Sequence, residues 1–360
     1  MSYLYFLILA VLSIYSYALI DTNLTLFNHP TWELFRNAMV SLGYFHRDIS
    51  AIIYTVLLSL LWIIHLYLVR QAARVKLKII VAAGVIFVLF AYPLLSHDVF
   101  NYLFDAKIVT HYHSNPYVHT PIEYSGDLWL RFMHWTHRTY PYGPSFLILT
   151  VPTLFISMGK FIVAFGVLKL QYAALYAITV LALARRNREW AIFFATSPLV
   201  VVEGLMNMHN DMLAVCITIL GLLYMKEQPR YARILLIFSG LIKYTTLPFI
   251  LLAEKSKQLR MIGLAGVVAV MGYLTFIIDT QMQPWYFLTL YAFIPLYYSR
   301  LKTYGIFLNG MLYMYIYFIA IGEWSNTLKY QIAAVSLVIN IVYNYLNGRR
   351  KTSHPLHVGT

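Results

Sequence analysis

Apolar runs of 15–20 residues recur along this chain from Tyr3 to Leu346, with short polar stretches between them. A helix needs roughly 20 apolar residues to span a bilayer, so this recurrence limits the fold more than any other feature. The 360 residues are 60% hydrophobic and 11% charged, against about 45–50% and 25% in soluble domains. A soluble globular protein, a coiled coil and a disordered chain are excluded. The runs are continuous and do not alternate with period two, which excludes a barrel. The expected fold class is an all-α polytopic membrane protein, one transmembrane domain over 1–360.

The net charge of +13 is a topology signal. Eighteen of the 27 Lys/Arg fall in six clusters between apolar runs: Arg70–Lys78, Arg185–Arg188, Lys226–Arg233, Lys255–Arg260, Arg300/Lys302 and Arg349–Lys351. Such clusters mark cytoplasmic loops, and nucleic-acid binding is not expected. The candidate spans are 3–20, 49–69, 77–95, 144–160, 162–184, 189–203, 212–225, 232–253, 261–279, 284–299, 305–321 and 329–347, a total of about 10–12. Residues 3–20 lack a basic start and a good cleavage site, and read as a retained span. Alternation from either end puts both termini in the cytoplasm and the loop 96–143 outside. In the middle it works only if 144–160 and the stretch around Lys243 are short or re-entrant helices, which membrane proteins tolerate where they line a cavity. Lys160, Lys169 and Lys243 are left without a side. The single cysteine, Cys216, forms no internal disulfide, and Asn23-Leu24-Thr25 is an isolated sequon.

Four polar groupings interrupt this pattern. In the stretch Ser96–Lys107, helical spacing puts Asp98, Asn101, Tyr102 and Asp105 on one face, and Val99, Phe100, Leu103 and Ala106 on the other. An acid where a span leaves the bilayer is placed to act as a general base, or simply to cap the helix. Glu203-Gly204-Leu205-Met206-Asn207-Met208-His209-Asn210-Asp211 packs five hydrogen-bonding side chains between two apolar runs, either a functional cluster or a capping loop. Lys243 lies near the middle of a 20-residue apolar stretch. It needs a buried partner, such as Glu203 or Asp211, or an anionic ligand such as phosphate. Gln283-Pro284-Trp285-Tyr286 opens a span and also fits an ordinary interfacial aromatic belt. The loop 96–143 holds six of the 12 histidines. The pairs His111/His113 and His134/His137 have no cysteine or ligand quartet beside them, and no metal site is expected.

Read in order, these motifs resemble the polyprenol-phosphate-sugar-dependent glycosyltransferases of the GT-C superfamily, the bacterial mannosyltransferase families and the related catalytic subunit of GPI mannosyltransferase I. The resembling residues are His97-Asp98 through Asp105-Ala106, Ser114-Asn115-Pro116-Tyr117, Tyr140-Pro141-Tyr142-Gly143-Pro144, Ser197-Pro198 through Glu203, Asn207-x-His209-Asn210-Asp211, Gly240-x-x-Lys243 and Gln283-Pro284-Trp285-Tyr286. Where family members often carry Asp-x-Asp, this chain has Ser96-His97-Asp98, which removes the paired acid. The chain is also short, and no large external acceptor-binding domain is expected. The resemblance implies a GT-C-like bundle in a cell membrane with its active site on the external face, no cofactor, and inverting transfer of a sugar, mannose first, from a polyprenyl-phosphate donor to a hydroxyl of a lipid-linked or glycan acceptor. Asp98 is the implied catalytic base. Lys243 and His209 are implied phosphate partners, while Asn210, Asp211, Tyr102, Asp105, Tyr142 and Trp285 would bind the donor and its sugar. A lipid-linked-sugar flippase or secondary transporter would use the same polar cavity. Against it, the candidate residues all lie on one side, with no repeat-related set about the midplane.

Overall fold

A computed structural model describes residues 1–278 and 280–352; Asp279, expected in an outer loop, lies outside the described residues. Among them the chain is helical, with no strand. The helices are α1 (Ser2–Tyr15), α2 (Pro30–Val40), α3 (Arg47–Arg70), α4 (Leu77–Phe90), α5 (Asp98–Thr110), α6 (Pro144–Ser157), α7 (Phe161–Arg186), α8 (Arg188–Thr196), α9 (Asn210–Tyr224), α10 (Pro229–Gly240), α11 (Phe249–Leu252), α12 (Lys257–Tyr273), α13 (Ile294–Thr303), α14 (Gly305–Gly310), α15 (Tyr315–Ile321) and α16 (Asn326–Thr352). The protein is an all-α polytopic membrane protein. Apolar side chains such as Ile49, Ile52, Val56 and Ile63 of α3 lie exposed on its flank, where lipid replaces water as the surroundings.

Polar contacts define two ends of the bundle. At the basic end Arg188 donates to Ala72 O (2.9 Å), Arg233 pairs with Glu254 (3.0 Å), and Arg186–Glu227 and Lys302–Glu189 form further pairs. At the other end lie Asp98, Arg138 and His209. Among the described residues, four stretches are long and apolar enough to cross a membrane alone: Ser2–Leu19, Arg47–Arg70, Phe161–Arg186 and Lys257–Ile278. Counting two bent pairs, Arg188–Thr196 with Val200–Met206 (67°) and Pro284–Thr303 with Gly305–Ile321 (86°), gives six. That is fewer than the ten to twelve expected, because several apolar runs are broken into short helices.

The breaks serve the site. After α8, Ser197-Pro198 interrupts the helix, since proline cannot donate to the preceding turn, and Asn309 Oδ1 takes up the freed Leu199 N–H (3.1 Å). The chain then runs through a π-helical stretch, Val200–Met206, that carries Glu203. After α10, residues 241–243 leave the helix, and the chain turns back through α11 to Glu254, which meets Arg233 of α10. Lys243 therefore sits at the tip of a hairpin whose two basic flanks come together where Arg233 meets Glu254. The segment 144–160 behaves similarly. Ser145 N, at the start of α6, donates to Leu241 O (3.2 Å), and after its end Phe161 packs on Phe100, Phe132 and Trp129 beside α5. Lys169, which had no side, donates to Leu89 O (3.2 Å) and to Ala91 O, the open carbonyls where α4 ends.

Candidate active site

The stretch 96–143 is a folded cap. Both faces of α5 are enclosed: Val99, Phe100, Asn101, Tyr102, Leu103, Phe104, Asp105 and Ala106 are all buried. The rest of the stretch folds over α5, with Phe132 against Phe100 and Tyr124 against Phe104, so the polar face looks into protein.

Asp98 opens α5, its side chain 20% exposed. His209 Nδ1 lies 3.6 Å from Asp98 Oδ2, and His209 Nε2 lies 3.3 Å from Oε2 of the fully buried Glu203, which also accepts from Asn207 Nδ2 (3.0 Å). The imidazole thus bridges two carboxylates, and its ring stacks on Trp285 with centroids 4.4 Å apart. The turn that presents it is strained: Met208 has φ +55, a left-handed conformation unusual for a residue with a side chain, and its carbonyl accepts from Tyr172 OH (2.7 Å). Burial works to lower the His209 pKa, but the carboxylates of Asp98 and Glu203 outweigh it and hold the ring up to about 9. Burial likewise works to raise Asp98, and His209, Arg138 and Lys243 hold it below the ordinary carboxylate range. The result is a carboxylate that stays ionised while largely enclosed.

Two cations flank it. Arg138, in the cap, lies 3.7 Å from Asp98 Oδ1 and donates to Tyr142 OH (3.3 Å). Lys243 lies 2.9 Å from the fully buried Asp211 and 3.4 Å from Asn210 Oδ1, with its ammonium over the rings of Tyr142 and Tyr286. Tyr102 OH accepts from Asn210 N (3.3 Å), and its ring packs edge-on against Tyr142 at 5.2 Å. Asp98, Tyr102, Tyr142, His209, Asn210, Asp211, Lys243 and Trp285 therefore come from five separate stretches into one cluster. Asp105 lies two turns further along α5, where burial, against the pull of Arg138, pushes its carboxyl up to about 8. Sequence reasoning gave Arg138 no role, and its signal was its place just before Tyr140-Pro141-Tyr142-Gly143-Pro144. Glu203 was one member of a polar stretch and a possible partner of Lys243, and the structure sets it against His209 instead. A cavity of about 1180 Å³ lies elsewhere, lined by Arg70, Glu189, Arg300, Lys302 and Tyr343 at the basic end.

Gly143 allows the cap to meet the Lys243 hairpin. A Cβ on it would lie 1.9 Å from Leu241 O, a backbone atom that cannot swing away. Gly143→Ala is expected to separate Tyr142 from Lys243, lowering the thermal midpoint in detergent and the rate of catalysis together. The overpacking cost is about 1–3 kcal/mol. An unchanged midpoint would show that the contact is not tight.

A family model described as "Alpha-(1->6)-mannopyranosyltransferase, N-terminal domain" matches residues 6–257, well over half of the chain. The matched stretch contains Asp98, Arg138, Glu203, His209, Asp211 and Lys243, and stops short of Trp285. No curated protein and no solved structure matches the chain.

Proposed function

Because the chain belongs to the alpha-(1->6)-mannopyranosyltransferase family and is thus a mannosyltransferase, we propose that it moves a mannosyl group from a polyprenyl-phosphate donor to an acceptor hydroxyl, with inversion and with Asp98 as general base. The acceptor hydroxyl, on a lipid-linked or glycan acceptor, gives its proton to Asp98 as its oxygen bonds to the anomeric carbon. The bond from that carbon to the phosphate oxygen breaks, and its electron pair leaves with the lipid phosphate. A phosphate is already a good leaving group, so the reaction asks for a base and for cations rather than for a general acid. The observation that carries this reading is the Asp98 carboxylate, kept ionised by His209 and bracketed by Arg138 and Lys243. Arg138 suits a phosphate because its guanidinium can donate two parallel hydrogen bonds. His209 serves Asp98, not the donor.

We place the Asp98 end outside, the basic end and both termini in the cytoplasm, following the six basic clusters. The test uses the full chain in sealed vesicles with labelled polyprenyl-phosphate mannose. Label recovered in an acceptor product is expected, and label that crosses the bilayer on an unaltered donor would favour a flippase instead. In a Cys216-free chain, single cysteines beside Asp98 should react with an impermeant reagent from outside, and cysteines beside Arg300 should not. The reverse pattern would overturn the orientation.

A further inference from the structure

Beside the Asp98 cluster, Asp21 follows the first span, His97 precedes α5, and His134 lies in the cap. One candidate donor atom from each lies within 4.8 Å of the others. Asp21 commits Oδ1 to Asn23 N (2.7 Å), which leaves Oδ2 turned towards His134 Nε2 at 3.8 Å. That separation is too long for a hydrogen bond. The rings of His97 and His134 stack with centroids 3.6 Å apart and planes 19° apart. Stacked imidazoles offer each other no in-plane hydrogen bond, and the buried His97 Nε2 has no partner. Three donor atoms thus converge on one small space, and none satisfies another.

We propose that Asp21, His97 and His134 bind a divalent transition-metal ion of the zinc class. Two imidazole nitrogens and a carboxylate oxygen suit such an ion, with further positions left to water or ligand. Zinc bonds of about 2.0–2.2 Å set tetrahedral ligand atoms roughly 3.3 Å apart, so the donor atoms must close up and the stacked rings must turn until both nitrogen lone pairs point at one ion, a side-chain rotation that leaves the backbone in place. Their backbones are already held: Asp21 N donates to Tyr92 OH (3.2 Å), and Asn101 of α5 donates to Trp135 O (2.7 Å), next to His134. His134 is half exposed and gives the ion a way in. A bound ion would tie the segment carrying Arg138 to the residue before Asp98. Its role would be to position the base and its neighbouring cation.

The full chain, purified in detergent without chelator, should carry about one zinc ion per chain by elemental analysis. After stripping, zinc should raise the thermal midpoint, and cobalt should give a visible absorption band. His134→Ala and Asp21→Asn should lose the metal, the zinc-dependent rise and the cobalt band, while matching the stripped wild type in midpoint. His137→Ala, a neighbouring histidine outside the trio, should keep all three. If His134→Ala fails to fold, Asp21→Asn decides. Wild-type protein that takes up neither ion at micromolar concentration, or equal uptake by the Asp21 and His134 variants, would overturn the site. Zinc bound without mannosyl transfer would count against the proposed reaction and leave the site standing.

Discussion

Asp98→Asn is expected to cut mannosyl transfer by about 10²–10⁴-fold, the range for loss of a general base, with donor affinity nearly unchanged. The amide has almost the shape of the carboxylate but cannot take the acceptor's proton at neutral pH. Stability should change little, because His209 keeps its second carboxylate, Glu203, at 3.3 Å. Arg138 loses an ionic neighbour only at 3.7 Å, a weak contact for a side chain 34% exposed. Single-turnover transfer and donor titration on one preparation separate the chemical step from binding. A variant that keeps more than about a tenth of the wild-type rate would move the base to another carboxylate of the cluster.

How far the sequence discloses this molecule depends on whether a feature is carried by one stretch or by several. The lipid-facing runs and the basic clusters are local, and they suffice for an all-α membrane protein with two chemically different ends. Even the breaks at 144–160 and at Lys243 follow from charge parity along the chain, since a full crossing there would strand basic residues on the wrong side. The polar knot Glu203–Asp211 is equally local. Relations across stretches are hidden. Nothing in Arg138 as a residue says that the cap folds back to set it against Asp98, 40 positions earlier. His209 is only one member of a polar stretch until Glu203, six residues before it, is brought to its Nε2 by the π-helical stretch and the Met208 turn. Periodicity puts Asp98, Asn101, Tyr102 and Asp105 on one face of α5, but it cannot tell a helix face open to water from one closed by the same chain's next forty residues. Asp21, His97 and His134 are spaced too widely for any ligand motif, and of the closely spaced pairs His111/His113 and His134/His137 only His134 belongs to the trio.

Lys243→Met tests the second cation, and its partner decides what the change does. Lys243 meets Asp211 at 2.9 Å, with the lysine side chain 16% exposed and the aspartate fully buried. Removing the ammonium strands that carboxylate, so the variant should lose about 3–5 kcal/mol of stability, read as a lower thermal midpoint in detergent. Met keeps the length and suits the apolar hairpin, so packing contributes little to the loss. The single variant therefore confounds folding with binding, and Lys243→Met combined with Asp211→Asn separates them. The double variant removes both charges together and should recover most of the midpoint, because a neutral amide is far cheaper to bury than an unpaired charge. If Lys243 also reaches the donor phosphate, the double variant still lacks that cation. Its donor KM should then rise by roughly tenfold or more, the worth of a charge-assisted hydrogen bond. A recovered midpoint with wild-type KM would leave Lys243 as Asp211's structural partner and Arg138 as the phosphate cation. A single variant of unchanged midpoint would instead mean that Asp211 does not depend on Lys243 at all, contrary to the 2.9 Å pair.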